Sequence, residues 1–413
     1  MVAYWRLKWA FKDLARTRRR KRIMDVRDGL LRLREMLRLK IPIRKSSETL
    51  LLGTWNIRNF DDNRFGHGPR LPESFFYIAE IISAFDIIAV QEIGDELGPL
   101  EKLMDMLGTD HDFIVTDVTL GPGGNRERLG FIYDRNKVRF TGTAGELVLP
   151  FEDQISDGTR ERQFARTPFA CTFRSGWFKF NFATVHIYFG KASRTSAEYA
   201  RRVAEIDKVA QFTAKRARKD KEQAHILVGD FNIEDFEGET FDALDKHGFK
   251  VFRNKLGSNL EQNSFYDQIS FMPDPDRVVL ADKEEDKDPH GVFNPFLAVF
   301  REEDFDIYDY RIVELTENRK AAELEEIAEL EIKVERTDLA ESTLKKARSA
   351  LNTARGNIVE LDAMLADPAL RKAYYLNDWR TFQISDHFPL FVELKVDFTE
   401  DYLENFEPGE PED

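Results

Sequence analysis

At 413 residues, with 42% apolar, 12% aromatic and 33% charged positions, the chain can bury at least one large core and is neither a miniprotein nor wholly disordered. Net charge is −14, but residues 1–45 hold 16 Lys and Arg against 4 Asp and Glu, a net of +12 that leaves −26 on the remainder. This basic arm on an acidic body excludes capture of nucleic acid by the surface as a whole, because phosphate neutralisation needs clustered Lys and Arg; an anionic polymer must be held by a local cleft or by the arm.

The length admits two domains or one domain with additions, and 34 phenylalanines suit a thick, sheet-based core. The single cysteine, Cys171, has no partner for an internal disulfide and lies in the strand-like run FACTF, which favours a buried, inert thiol and a reducing compartment. No apolar run reaches the ~18 residues that span a bilayer. The first twenty residues interrupt their apolar positions with charges, unlike a signal peptide, so the expected location is the cytoplasm.

In chain order, the arm reads as two short helices. Over residues 23–40, Met24, Leu30, Leu31, Leu33, Leu37 and Leu39 mix with Arg27, Arg32, Arg34 and Arg38 in an imperfect amphipathic pattern joined to the run RTRRRKR, and Pro42 ends any helix. Such an arm packs on the body or a partner, contacts nucleic acid, or meets an anionic membrane surface. The runs LLGTWNI, DIIAVQE, RLGFIYD, FKFNFATVHIYF, HILVGDFNI and HFPLFVELKV are short, rich in β-branched and aromatic residues, and bounded by turn residues, as strands are. Helical patterns over 74–84 and 196–216 lie between them, so the body is α/β or α+β with one or two sheets.

The stretch ADKEEDKD over 281–288 reads as a solvated linker. Beyond it, Leu344, Ala347, Leu351, Ala354, Ile358, Leu361 and Leu365 follow alternating steps of three and four, a coiled-coil seam over about three heptads. Leu324, Ile327, Leu330 and Val334 form a second stripe out of register with it across Thr337 and Asp338. An antiparallel hairpin turning there, with Asp338 as cap, is expected; the same face could join a second chain.

Five strand ends carry residues used in metal-assisted phosphate chemistry: Asn56 and Arg58, Glu92, His186, Asp230 and Asn232, and Asp386 with His387. Singly, each has an ordinary structural reading as an edge residue, a turn or a core histidine. Jointly and in this order they point to hydrolysis of a phosphoric ester. That reaction needs an in-line water, neutralisation of charge on the phosphoryl oxygens, and help for a poor alkoxide leaving group.

With WNIRNF, VQEIGDEL, NRERLGFIYDRNKV, FARTPF, TVHIYFG, GDFNIED, FYDQI and SDHFPLFVEL in place, over roughly residues 50–272 and 376–396, the sequence resembles the endonuclease/exonuclease/phosphatase superfamily, and within it deoxyribonuclease I. The resemblance implies a four-layered α/β sandwich of two packed mixed sheets flanked by helices, with the active site at one sheet end. On that reading the chain comprises a basic helical arm (1–46), a catalytic domain (47–311 and 376–400), an inserted coiled-coil-like helical hairpin (312–375) and an acidic tail (401–413). The arm and hairpin have no counterpart in the family pattern.

Carried over by position, the resemblance implies that Glu92, with Asn56 and Asp386, holds Mg²⁺, with Mn²⁺ as a substitute. It makes His186 and His387 the proton-transfer pair, oriented by Glu127 and Asp386 respectively. It assigns water and phosphate to Asp230 and Asn232, and the rest of the phosphate pocket to Arg58, Arg166 and Asp267. Ile93 and Gly94 stand where deoxyribonuclease I enzymes place a DNA-reaching arginine, and Asn125 where they use a minor-groove tyrosine. The expected activity is Mg²⁺-dependent phosphodiester hydrolysis of nucleic acid, DNA before RNA, by an endonuclease. The alternatives are a sphingomyelinase-like or inositol-phosphate hydrolase, for which a membrane-binding arm would suit, and a non-catalytic binding module whose hairpin and arm recruit a partner or a second copy.

Overall fold

Thirteen short runs of β-branched and aromatic residues pair as strands in a computed structural model that describes residues 2–12, 14–120, 123–155, 163–274, 277–283, 287–404 and 406. They are β1 (Thr49–Asn56), β2 (Ile87–Gly94), β3 (His111–Val115), β4 (Glu127–Asp134), β5 (Arg139–Glu146), β6 (Phe169–Ser175), β7 (Phe178–His186), β8 (Ala224–Asp230), β9 (Lys250–Val251), β10 (Asp267–Phe271), β11 (Val279–Leu280), β12 (His290–Val292) and β13 (Leu390–Lys395). One sheet has the order β11-β13-β1-β2-β4-β3 with β12 also on β13; the other runs β5-β6-β7-β8-β10-β9. Each sheet contains one parallel pair, β1 with β2 and β7 with β8. The helices are α1 (Arg16–Lys40), α2 (Pro72–Ile82), α3 (Gly98–Leu107), α4 (Ala197–Lys219), α5 (Glu239–Asp245), α6 (Phe305–Glu335), α7 (Glu341–Ala366), α8 (Pro368–Tyr374), α9 (Arg380–Gln383) and α10 (Thr399–Glu404).

The result is the expected sandwich of two mixed sheets flanked by helices. All six expected strand runs fall on strands. β5 escapes the sequence pattern because it is exposed along nearly its whole length and has no buried face to impose alternation; β9, β11 and β12 are only two or three residues long. Between the sheets, Leu50, Leu52, Ile87 and Phe131 meet Phe173, Phe180, Phe182 and Ile226. Phe131 is the centre of an aromatic cluster, 5.6 Å from the rings of Phe169 and Phe173 and 5.2 Å from Phe182. Cys171 is buried in this layer, and burial pushes its thiol up to about 12, as befits an inert side chain. One polar tie crosses the apolar layer: the Gln91 amide donates to Thr184 Oγ1 at 2.8 Å and to Thr54 Oγ1 at 3.1 Å. On the outer face of the second sheet, α4 packs Ile206, Val209 and Ala210 against Val185 and Leu227. Ser196 caps α4 by accepting from the Tyr199 N–H at 3.1 Å.

The arm differs from expectation. A 3₁₀ turn covers Tyr4–Trp9, and α1 is one helix of 25 residues whose first turns absorb the RTRRRKR run, since Arg and Lys are good helix formers. α1 is docked on α2: Val26, Leu30, Leu33 and Leu37 are buried, Arg22 pairs with Glu73, and Arg34 Nη1 donates to Glu80 Oε1 at 2.9 Å. Glu73 lies in the first turn of α2, just after Arg70, which bonds the carbonyls of Ile57 and Arg58 where β1 ends. Arg18, Arg20 and Lys21, in the turns of α1 just ahead of Arg22, are exposed.

The chain divides into two compact units, one formed from residues 1–62, 69–298 and 384–413 and the other from 63–68 and 299–383. In the second, α6 and α7 form an antiparallel hairpin. Lys320 pairs with Asp362, and Arg355 Nη2 lies 2.6 Å from Glu331 Oε1. Leu344, Ala347, Leu351, Ala354 and Leu361 are buried along α7, whereas Leu324 on α6 is 49% exposed. α6 starts at Phe305 rather than at 312, because Tyr308 and Ile312 are buried in an aromatic base with Phe300, Tyr375 and Trp379. Asp338 does not cap α7: the cap is Ala340, and both carboxylate oxygens of Asp338 are taken by the Arg336 guanidinium. Residues 284–286 of the expected linker and 405 and 407–413 of the expected tail lie outside the described residues, while α10 occupies Thr399–Glu404.

Gly229 shows how tightly β7 and β8 are matched. Its φ is +129°, and an added Cβ would stand 2.1 Å from the Val185 carbonyl oxygen. Gly229→Ala is therefore expected to destabilise the fold by about 1–3 kcal/mol, read as a lower urea midpoint with unchanged m-value.

Candidate functional site

Polar side chains cannot remain inside the apolar layer, so they collect where parallel strands end. β1 ends at Asn56 and β2 carries Glu92 near its end; β7 ends at His186 and β8 at Asp230. In the second sheet His186 is abreast of Asp230, and Asp230 is abreast of Asp267, the first residue of the antiparallel β10. Glu127 opens β4 opposite Gly94. The register shift between Val90 and Ile93 and the positive φ of Glu92 (60°), Arg58 (43°) and Asn232 (53°) set these side chains at the strand ends.

Asp230 Oδ2 is the meeting point. Asn56 Nδ2 donates to it at 3.1 Å and to Glu92 Oε1 at 2.8 Å, joining the two sheets. Glu92 Oε2 also accepts the Asn59 N–H at 2.7 Å. His186 Nε2 lies 3.5 Å and His387 Nε2 3.8 Å from Asp230 Oδ2. Behind His186, Nδ1 is 3.3 Å from Glu127 Oε2, and Glu127 in turn pairs with Arg166 Nε. Behind His387, Nδ1 bonds Asp267 Oδ2 at 2.7 Å. The His387 backbone is clamped as well: its N–H donates to Ser385 Oγ at 3.0 Å, and its carbonyl accepts Trp55 Nε1 at 2.8 Å.

Electrostatics separate the two imidazoles. Burial, reinforced by Arg166, lowers His186 to about 4 despite Asp230 and Glu92. Burial opposes protonation of His387 too, but Asp267, Asp230 and Asp386 outweigh it and hold this imidazole well above its ordinary value. Burial, with Asp267 adding to it, raises Asp230. For Glu92 the burial penalty is exceeded by His186, the Asn56 amide, His387 and the Asn59 N–H, which leave it below the usual carboxylate range.

The sequence-marked residues Asn56, Glu92, Glu127, Arg166, His186, Asp230, Asn232, Asp267 and His387 come together. One local expectation is corrected, and two further residues have partners of their own. Asp267, not Asp386, holds His387 Nδ1, because β10 lies alongside β8 whereas the Asp386 side chain is 43% exposed and lies 3.5 Å from Arg58 Nε. Arg166 pairs with Glu127 behind His186, which leaves its Nη1 as the part of the guanidinium that is buried without a partner. Asn232 spends its Nδ2 on the Ile187 carbonyl at 2.7 Å and its backbone N–H on Asp230 Oδ1 at 2.9 Å.

Sequence reasoning missed the support from α4. The fully buried Arg202 donates to the carbonyls of Phe189, Lys191 and Asn232, tying together the turns after β7 and β8. Glu205 accepts the N–H groups of Ala165 at 2.9 Å and Tyr188 at 3.2 Å, next to Arg166 and His186. The signal was available: Tyr199, Arg202, Ile206 and Val209 keep helical spacing, so Arg202 falls within an apolar stripe.

Among the described residues, two groups have ligand atoms close enough to share an ion, Glu92 with Glu127 and His186, and Asp230 with Asp267 and His387. The residues fit a hard divalent cation. Four carboxylates crowd a buried space, Asp267 Oδ1 is buried without a partner, and the donors are mainly oxygen.

Asp267→Asn removes the charge that sustains the His387 imidazolium, so burial should then dominate. A downward shift of the His387 titration, with His186 still deprotonated at neutral pH, is expected in imidazole NMR titrations; an unmoved His387 would contradict this assignment.

A family model described as Endonuclease/Exonuclease/phosphatase family matches residues 53–387. No curated protein matches the chain. Similar solved structures include a mannosyl-6-phosphatase of Bacteroides thetaiotaomicron (22% identity, 54% of this chain and 85% of that one, TM-score 0.41). Others are the human Nocturnin catalytic domain with bound sulfate (15%, 54% and 82%, TM-score 0.41) and D. rerio TDP2 complexed with single strand DNA product (12%, 60% and 91%, TM-score 0.42). With the family model covering most of the chain and every candidate residue from Asn56 to His387, the chain belongs to the endonuclease/exonuclease/phosphatase family, whose members are metal-dependent hydrolases of phosphoric ester bonds.

Proposed function

We propose that the chain hydrolyses phosphodiester bonds of nucleic acid with Mg²⁺, Mn²⁺ being a substitute, as an endonuclease with DNA as its first substrate. The observation that carries this reading is the convergence of His186 and His387 Nε2 on Asp230 Oδ2, each with its own carboxylate behind Nδ1. Glu92 and Asn56 would hold the cation, with Asp386 beside them at the rim; when bound it supplies neutralisation of phosphoryl charge. Water attacks phosphorus, the bond to the leaving oxygen breaks, and the histidine pair takes the water proton and returns one to the leaving alkoxide. Asp230 orients the pair, Asn232 sets its turn, and Arg166 Nη1 with Arg58 meets the phosphoryl oxygens. Since the nucleophile is water, no 2′-hydroxyl is required, which suits DNA. The single buried cysteine suits a cytoplasmic setting.

The direct test offers plasmid DNA, single-stranded DNA, RNA, sphingomyelin vesicles and inositol phosphates to the protein with Mg²⁺ and with EDTA. Cleavage of the nucleic acids alone, abolished by EDTA, is expected; turnover of only the lipid or inositol phosphate would overturn the reading. Glu92→Gln should lower Mg²⁺-dependent turnover at least about 100-fold. His186→Ala and His387→Ala should each lower it by about 10² to 10⁴, with the double variant far short of the product of the two losses.

The exposed Arg18, Arg20 and Lys21 flank Arg22, whose partner Glu73 opens α2 just after Arg70 at the end of β1, and from there they would meet flanking phosphates. Changing all three to Gln should reduce the slope of log affinity against log salt by about 0.7 to 0.9 for each phosphate that is no longer neutralised, with turnover at saturating substrate unchanged. An identical slope would remove the arm from substrate binding.

A further inference from the structure

We propose that Phe189 and Tyr266 form an aromatic ledge beside His387 that stacks an unpaired nucleobase next to the scissile phosphate, making single-stranded nucleic acid the substrate. This rests on the nucleic-acid reading above and narrows it.

The ledge is built by the two turns that carry the site. β7 leaves the sheet at His186; Ile187 is buried, but Phe189 is 39% exposed. Tyr266 immediately precedes Asp267, and its ring centre lies 5.7 Å from the His387 imidazole. Phe189 meets Tyr266 edge to face at 6.4 Å and 82°.

Phe189 is also held. The Arg202 guanidinium lies 4.3 Å from its ring centre and is itself fixed by the carbonyls of Phe189, Lys191 and Asn232 and by Glu234. A large apolar ring kept in place while open to water forgoes burial, and here it does so against Tyr266, the ring that adjoins His387. A phosphate bound between His186 and His387 carries a substituent on each side, so one of them falls beside Tyr266. Flat aromatic surfaces backed by a cation suit a π-face; an acyl chain would need an aliphatic groove, whereas the exposed Lys191 and Arg194 lie in this turn, Arg194 pairing with the half-buried Asp235. Bases inside a duplex already have both faces stacked, so the ledge serves an unpaired one.

The test uses the full chain with Mg²⁺ and three substrates of equal length: a single-stranded oligodeoxynucleotide, the same strand built with abasic sugars, and a duplex. Phe189→Ala should raise KM for the intact strand by about 5- to 100-fold with kcat within about twofold, and Phe189→Trp should restore it. The abasic strand should show a raised KM with the unaltered protein and be indifferent to Phe189→Ala. An unchanged KM, an equal rise on the abasic strand, or a preference for duplex would overturn the ledge while leaving nucleic-acid hydrolysis in place. Failure of the unaltered protein to cleave any of the three would instead overturn the nucleic-acid reading, and the ledge with it.

Discussion

A carboxylate buried at the junction of two sheets, Asp230, organises the rest of the structure. Its Oδ2 receives the Asn56 amide from the first sheet and faces the Nε2 atoms of both histidines. A buried carboxylate is stable only with partners of this kind, so the sheets must pack with a fixed separation and stagger. The phenylalanine layer supplies the separation, stacked sheets standing about 10 Å apart. The Gln91 bridge to Thr184, which aligns β2 on β7 across the apolar layer, supplies the stagger.

The same constraint bears on the backbone around the site. Glu92, at the register shift of β2, and Arg58, Asn59 and Asn232, just past the ends of β1 and β8, all have positive φ. Among them, the Asn59 N–H donates to Glu92, the Asn232 N–H to Asp230 and the Arg58 N–H to Asn56 Oδ1, and such conformations persist when neighbours over-determine them. Here those neighbours are charged and buried: Arg70 bonds the carbonyls of Ile57 and Arg58, Arg202 those of Phe189, Lys191 and Asn232, and Glu205 the N–H groups of Ala165 and Tyr188. α4 is thus more than a cover for the second sheet. Its inner face carries the ties that hold the turns bearing His186 and Asn232.

The additions to the sandwich follow a different logic. α1 commits an apolar stripe and the charges of Arg22 and Arg34 to α2, while Arg18, Arg20 and Lys21 in its first turns stay exposed. The second unit has its own aromatic base around Tyr308, Tyr375 and Trp379, from which the α6–α7 hairpin extends. No helix among the described residues is long and apolar enough to cross a membrane.

Sequence alone determined the strand ends and their residues, because an apolar run closed by Asn56, Glu92, His186 or Asp230 is a local pattern that the core itself imposes. It determined the hairpin too, since a heptad seam such as Leu344 to Leu361 is read within one helix. Tertiary structure decided the partnerships. Asp386 is the neighbour of His387 in the chain, yet Asp267 is its partner, because adjacent side chains diverge while antiparallel register sets Asp267 abreast of Asp230. Arg166 turned to Glu127 and Arg202 went into the interior for the same reason. A charge is placed by the donors and acceptors that folding brings around it, and those come from strands and helices far away in sequence.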